Sequence, residues 1–239
     1  MPDYLDVLAT KALQTIENGY YKSSKNMKSK ISLKNAIQRC QNAPIISEIK
    51  FASPSRGTLR AARDWKLIAQ DMEKGGATGI SILTEPTHFN GHIDYITEAR
   101  EQVALPILMK DFILRKEQID TASKIGASAI LLIQSLFTRQ YCENSVDEMI
   151  NFAHSKDLEV LLETHTENEF QSALKTNADM IGINNRNLKT LEVDLEVTNR
   201  ILTKNPVKGR VIISESGVNN SNDIRFLREC GAQAFLVGS

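Results

Sequence analysis

The sequence predicts an α/β fold in which eight parallel strands, each joined to the next through a helix, close into a barrel. Three observations carry that prediction. First, short apolar runs recur and end on a charged or amide side chain. Pro44-Ile45-Ile46-Ser47 runs into Glu48-Ile49-Lys50, Leu105-Pro106-Ile107-Leu108-Met109 into Lys110-Asp111, and Leu158-Glu159-Val160-Leu161-Leu162 into Glu163. Met180-Ile181-Gly182-Ile183 runs into Asn184-Asn185-Arg186, and Val211-Ile212-Ile213-Ser214 into Glu215-Ser216-Gly217. Runs of this length read as strands covered on both faces. Second, helix-like segments alternate with them without a break after Pro44, which implies right-handed βαβ units and a parallel sheet. Third, the helix-stop signals Gly75-Gly76-Ala77, Gly126-Ala127, Asn177-Ala178 and Gly231-Ala232 return after 51, 51 and 54 residues, two βα units each time. Four such pairs make the eight strands of a (β/α)8 TIM barrel. The rival is an open doubly wound sheet, which usually has fewer strands and often a Gly-x-Gly-x-x-Gly turn after the first; no such turn is present.

The elements follow in order. Leu5, Leu8, Ala12 and Ile16 line one side of an amphipathic helix at the N-terminus, and Asp3 and Asp6 ahead of its apolar residues argue against a secretory signal. Residues 1–43 form a helical extension interrupted over Tyr20–Lys30, where Lys22, Lys25, Lys28 and Lys30 suggest a solvated loop; a nucleic-acid patch is disfavoured because no similar basic cluster recurs. Strands are expected at 44–49, 79–83, 105–109, 128–132, 158–162, 179–183, 210–215 and 233–237. Helices are expected near 64–74, 92–101, 115–124, 138–154, 166–175, 194–204 and 220–229. Residues 44–239 are then the barrel, and 1–239 one domain. The chain stops at Gly238-Ser239, directly after the eighth strand. An eighth helix needs about a dozen residues more, so helix 8 is expected to be missing and the chain truncated or unusually short.

Composition narrows the function. With 239 residues and 41% hydrophobic content, the chain can bury one large core. Its 29 basic and 29 acidic residues cancel, which argues against broad electrostatic binding to nucleic acid or an anionic membrane while leaving room for a local anion pocket. No stretch approaches the roughly 20 apolar residues that span a bilayer. Cys40, Cys142 and Cys230 are odd in number, far apart and without a Cys-x-x-Cys pair, as expected of reduced thiols in a cytoplasmic protein.

The polar residues at the strand ends carry the chemistry. Glu48 and Lys50 lie two apart and so point the same way, and Lys110 and Glu163 occupy similar places on later strands. Each alone is as readily a rim charge; together they suggest acid–base work. A lysine among apolar walls can lose enough pKa to donate near neutrality, and Glu163 behind its leucines can be raised toward the same range. Schiff-base chemistry at a lysine is the alternative. Ala52-Ser53-Pro54-Ser55-Arg56-Gly57, with Arg60 and Arg63, can present amides and guanidinium groups to an anion. Ser216-Gly217 and Gly238-Ser239 follow strands seven and eight, where barrels often bind phosphate. His88 and His92 share helical spacing, but Asn90-Gly91 between them reads as a turn, which disfavours a metal site. His165 reads as a loop histidine, with a place on the pocket rim the alternative. Phe89, Phe112, Leu131 and Leu188 are apolar residues near strand ends that could receive an aromatic ring.

At these residues the sequence resembles the indole-3-glycerol-phosphate synthases, from about Asn35 onward. The resemblance rests on Ser47-Glu48-Ile49-Lys50 with Ala52-Ser53-Pro54-Ser55-Arg56-Gly57, on Ser81-Ile82-Leu83-Thr84-Glu85, on Met109-Lys110-Asp111-Phe112, on Gly182-Ile183-Asn184-Asn185-Arg186-Asn187-Leu188, on Ser214-Glu215-Ser216-Gly217 and on Phe235-Leu236-Val237-Gly238-Ser239. It implies a barrel with an N-terminal helical extension over its catalytic face. It also implies ring closure of 1-(2-carboxyphenylamino)-1-deoxyribulose 5-phosphate to indole-3-glycerol phosphate, carbon dioxide and water, with no metal or organic cofactor. Lys110 would be the general acid, and Glu163 would stabilise a cationic intermediate or act as base. Lys50 would hold the substrate carboxylate or share the acid role, and Glu48 would orient the lysines. Asn184 and Glu215 would bond sugar hydroxyls or position the acid. Ser53, Ser216, Gly217, Gly238 and Ser239 would hold the phosphate, Arg186 would stand near the anthranilate carboxylate, and Phe89, Phe112, Leu131 and Leu188 would wall the ring. Such a chain is expected to be a monomer or weak homodimer acting on a phosphorylated small molecule. A barrel isomerase on a related phosphorylated aminosugar, such as phosphoribosylanthranilate, is the alternative, though it needs no second active-site lysine; a non-catalytic barrel would have tolerated loss of the acid–base set. Two departures stand out. His88 lies where the family often carries an aromatic, and the family continues past Gly238-Ser239 into a helix that helps bind phosphate, so weaker phosphate binding and lower stability are expected of a chain ending there.

Overall fold

Strand β1 (Ile45–Ile49) starts the barrel, and after it the two-residue strands β2 (Ala52–Ser53) and β3 (Gly57–Thr58) pair antiparallel outside it. The computed structural model describes residues 3–50, 52–53, 57–58 and 65–238. The remaining barrel strands are β4 (Gly79–Leu83), β5 (Ile107–Lys110), β6 (Ala129–Ile133), β7 (Glu159–Thr164), β8 (Met180–Asn184), β9 (Val211–Glu215) and β10 (Ala234–Val237). All eight pair in parallel, and the ring closes from β4 through β1 to β10. Closure removes every edge, so Ile46, Leu108, Leu161 and Ile213 sit fully buried in a core of β-branched and leucine side chains. The predicted strands match these to within two residues.

Around the ring lie α3 (Trp65–Lys74), α4 (Asp94–Arg100), α5 (Lys116–Ile125), α6 (Gln134–Thr138), α7 (Val146–Ser155), α8 (Glu167–Ala173), α9 (Glu196–Lys204) and α10 (Ser221–Glu229), preceded by α1 (Tyr4–Glu17) and α2 (Leu33–Arg39). The single helix expected over 138–154 is corrected to two. Gln140 takes φ +61°, beyond the tolerance of a helix, and Ser145 starts α7 through a reciprocal capping box with Glu148. Among the described residues no helix is long and apolar enough to cross a membrane.

The extension is not a solvated loop between two helices, as its lysines suggest. Lys22, Lys28 and Lys30 are exposed, but Tyr21 just before them and Ser29 among them are buried. The strap runs the height of the barrel. At the upper end the Tyr20 hydroxyl donates to the Thr84 carbonyl (3.0 Å) and the Tyr21 hydroxyl to Asp111 (2.9 Å). Lower down Met27 N–H donates to the Lys124 carbonyl (2.7 Å), and the Ser29 and Ser128 hydroxyls pair at 2.9 Å. At the lower end the Glu159 carboxylate accepts the Leu33 and Lys34 amides (2.7 and 3.0 Å), satisfying the first turn of α2. Meanwhile α1 lies over the upper end, where Arg139 grips Asp3 with both guanidinium nitrogens (2.6 and 2.8 Å).

Candidate active site

Strand alternation sends Glu48, Lys110, Glu163, Asn184 and Glu215 from the upper strand ends toward one cavity of about 730 Å³, which all five line together with Lys50. The Lys110 ammonium donates to Glu163 Oε2 at 3.1 Å and to Glu215 Oε2 at 3.4 Å. Lys50 donates to Glu48 Oε1 at 2.8 Å. The register places Glu163 opposite Gly182 and Asn184 opposite Glu215. Glycine at 182 is what admits the second acid, because a Cβ there would lie 2.1 Å from Glu215 Oε1.

Electrostatics overturn two expectations from sequence. Burial works against the Lys110 ammonium, yet Glu163, Glu215 and Glu48 outweigh it, and its pKa is raised rather than lowered. Burial likewise pushes Glu163 up, but Lys110 and His165 beside it hold its carboxyl well below the usual range. The raised acid is Glu215: burial lifts it, Lys110 opposes, the Glu163 charge reinforces, and it reaches about 8. Two carboxylates sharing one ammonium cannot both ionise freely, and the one with the extra cationic partner wins.

The cavity has an apolar side and a polar end. Phe89, Phe112, Leu131 and Leu188 all line it, with the two phenylalanine rings 6.1 Å apart. Arg186 lines it too, its guanidinium donating to the Leu191 carbonyl (2.8 Å). At the other end come Ser216, Gly217 and Gly238. Ser216 and Gly217 adopt consecutive left-handed conformations (φ +66° and +89°), and a Cβ at 217 would meet Val193 at 2.5 Å, so this turn needs its glycine twice over. The backbone of Ser53 belongs to β2. The Ser53 side chain, Ser239, Arg56, Arg60 and Arg63 lie outside the described residues.

Comparison with known proteins identifies the family. The family model for indole-3-glycerol phosphate synthase matches residues 5–239. The chain belongs to the indole-3-glycerol phosphate synthase family. It is 44% identical over 216 residues to the indole-3-glycerol phosphate synthase of Methanocaldococcus jannaschii, covering 89% of this chain and 78% of that one. The synthase of Shouchella clausii is 39% identical, with 97% and 89% covered. Among solved structures, the N-acetylmannosamine-6-phosphate 2-epimerase from Clostridium perfringens superposes with a TM-score of 0.64 at 17% identity, over 84% of this chain and 88% of that one. At that identity the likeness is one of fold alone.

In this synthase-family chain, sequence reasoning passed over four residues near the cavity. Tyr4 and Leu8 of α1 line it, and Tyr4 meets His88 edge to face at 6.3 Å. Glu85 accepts the amides of Thr87, His88 and Phe89 (2.9, 2.6 and 3.1 Å) and so holds the turn that presents Phe89. Asp111, fully enclosed behind Lys110, is pushed by burial up to about 6 against the bonds from Thr84 and Tyr21. His165 is no rim or solvent histidine: it is buried behind Glu163, with 9% of its side chain exposed. Its i, i+4 spacing to Glu169 was the readable signal. Asn185 turns away from the cavity; its amide donates to Ser214 and to the Ser216 carbonyl (3.0 and 3.1 Å) and so fixes the glycine turn.

Proposed function

We propose that this chain closes the indole ring of 1-(2-carboxyphenylamino)-1-deoxyribulose 5-phosphate with Lys110 as proton donor and Glu163 as the carboxylate facing the cationic intermediate. The overall activity is the family's, a carboxy-lyase step of tryptophan biosynthesis; the residue roles are the proposal. The observation that supports them best is the Lys110 ammonium set 3.1 Å from Glu163 in a cavity that Phe89, Phe112, Leu131 and Leu188 also line.

Ring closure joins the carboxylate-bearing aryl carbon to the ketone carbon, and negative charge grows on the ketone oxygen. A tightly held lysine proton suits that step, since an alkoxide is basic enough to take it while the ground-state ketone is not. The ring becomes cationic as the bond forms, and Glu163, held ionised, stabilises it. Departure of carbon dioxide restores the aromatic ring. The new hydroxyl then leaves as water with one proton supplied to it, and a proton leaves the neighbouring methylene carbon for a carboxylate base, which completes the indole. Lys50, oriented by Glu48, takes the substrate carboxylate, with Arg186 on the same side. Glu215, protonated in most molecules at neutral pH, donates to a sugar hydroxyl beside Asn184. The Ser216–Gly217 turn, Gly238, Ser53 and Ser239 take the phosphate.

The test is direct. Incubation with the carboxyphenylamino substrate should produce indole fluorescence that grows with enzyme concentration; absence of any signal from the active-site-intact chain would reject the reading.

A further inference from the structure

Glu163 is held from two sides. In front stands Lys110; behind stands His165, just past the end of β7. Its Nε2 lies 3.2 Å from Glu163 Oε1, and its Nδ1 lies 3.7 Å from Glu169 Oε2 on α8. The Glu169 carboxylate is fixed in turn, accepting the His165 backbone amide at 2.7 Å and the Ser135 hydroxyl at 2.6 Å. Neither ring nitrogen is aligned for a hydrogen bond with these oxygens. The attraction is therefore one of charge.

The geometry decides the protonation state. A neutral imidazole carries one N–H and one bare lone pair. With a carboxylate oxygen within 4 Å of each nitrogen, the neutral ring would bring its bare nitrogen close to an anion whichever tautomer it took. Only the imidazolium presents a positive edge to both.

We infer that His165 is a positioning residue for ring closure: clamped as an imidazolium between Glu163 and Glu169, it keeps the Glu163 carboxylate ionised and its other oxygen on Lys110. The inference rests on the roles proposed above for Glu163 and Lys110. The titration of the ring agrees with the geometry, since burial disfavours its charge but Glu163 and Glu169 together push it up to about 9. The charged groups facing His165 are Glu163 from its own segment and Glu169 from α8, with the Ser135 hydroxyl of α6 behind Glu169. Lys110 and Glu215 lie beyond Glu163 and act on the ring through it.

The variant His165→Asn keeps a polar side chain but cannot take a proton. Its kcat against pH, measured beside the wild type, should show an acid limb displaced upward by about one unit or more. At the pH where the wild type has lost half of its plateau, a one-unit displacement should leave the variant with about a tenth of its own. Superimposable acid limbs would overturn the inference, whatever the variant does to KM or to melting temperature. Because this variant could fail to fold, NMR titration of the wild type supplies a second arm. One of the four histidines should titrate with a midpoint above about 8, far from the usual value near 6.5, and Glu169→Gln should lower that midpoint by about one unit. No such histidine, or a midpoint indifferent to Glu169→Gln, also overturns it. A wild type that makes no indole product rejects the reaction reading itself, and the NMR midpoint separates that failure from a failure of the clamp.

Discussion

Two lysines at the mouth of the barrel are almost equally exposed, Lys110 at 17% and Lys50 at 18%, yet their surroundings differ. Lys110 donates to Glu163 and Glu215 from strands two and four places round the ring and feels Glu48 as well. Among the described residues, the Lys50 ammonium pairs with Glu48, two residues back at the end of β1. The difference teaches that exposure does not define an active-site lysine. The number and origin of the acids around it do. An ammonium held by acids from separate strands is fixed in direction, as a proton donor must be. One tied to a single local acid can turn toward an incoming carboxylate.

The strongest way to break this comparison is to remove each lysine in turn. Lys110→Ala should lower kcat by about 10²–10⁴-fold, the range of lost acid catalysis. Lys50→Ala should act chiefly on KM. Steady-state kinetics on both variants decides, and a larger kcat loss for Lys50→Ala would exchange the assignments. Next, Glu163→Gln keeps the shape but removes the charge that aims Lys110. A loss of about 10²-fold in kcat with little change in KM is expected; equal losses in both would make Glu163 a ground-state binding group.

A fourth substitution tests the second acid. Gly182→Ala places a methyl 2.1 Å from Glu215 Oε1, so the carboxyl must leave Lys110. An overpacking cost of about 1–3 kcal/mol is expected in urea unfolding, together with a lower kcat. A variant of native stability and activity would show that Glu215 has room to move.

The last test is a pH dependence of stability. Glu215 has its pKa raised on folding from 4.5 to about 8, so the folded chain holds this proton more tightly than the unfolded one. The resulting stability is fully present below about pH 4.5 and is lost as pH rises through 8. Unfolding free energies from urea titrations between pH 5 and 8 should therefore fall in the wild type by up to about 1.4 kcal/mol per pH unit relative to Glu215→Gln. Glu163, with its pKa lowered, works in the opposite sense and only below its ordinary value. A wild type and variant with parallel profiles would place Glu215 with the ordinary acids.

Much of this arrangement was legible in the sequence because its signals are local. A β-branched run that stops at Glu or Lys needs no knowledge of its neighbours to place that side chain at a strand end, and the repeated helix stops counted the strands. What escaped was set by register across the ring. That Glu163 and Glu215 share one ammonium follows from Gly182 standing between them, and this reversed the expected directions for Lys110 and Glu163. Tyr21 and Ser29 were masked by the lysines around them, which point outward as lysines do while the residues beside them carry the contacts. The break in the helix expected over 138–154 had a local signal, Ser145-x-x-Glu148, which the longer apolar periodicity obscured.

The strap has a consequence for the order in which the molecule is made. Its contacts span 64 residues from Tyr20 to Thr84, 90 from Tyr21 to Asp111, 99 from Ser29 to Ser128 and 136 from Asp3 to Arg139. This segment, made ahead of the barrel strands, therefore waits for partners from three later βα units before it has anywhere to bind. Helix α1 brings Tyr4 and Leu8 to the cavity, so the chamber gains its cover as a late event of folding, and the beginning of the chain finishes the work of its middle.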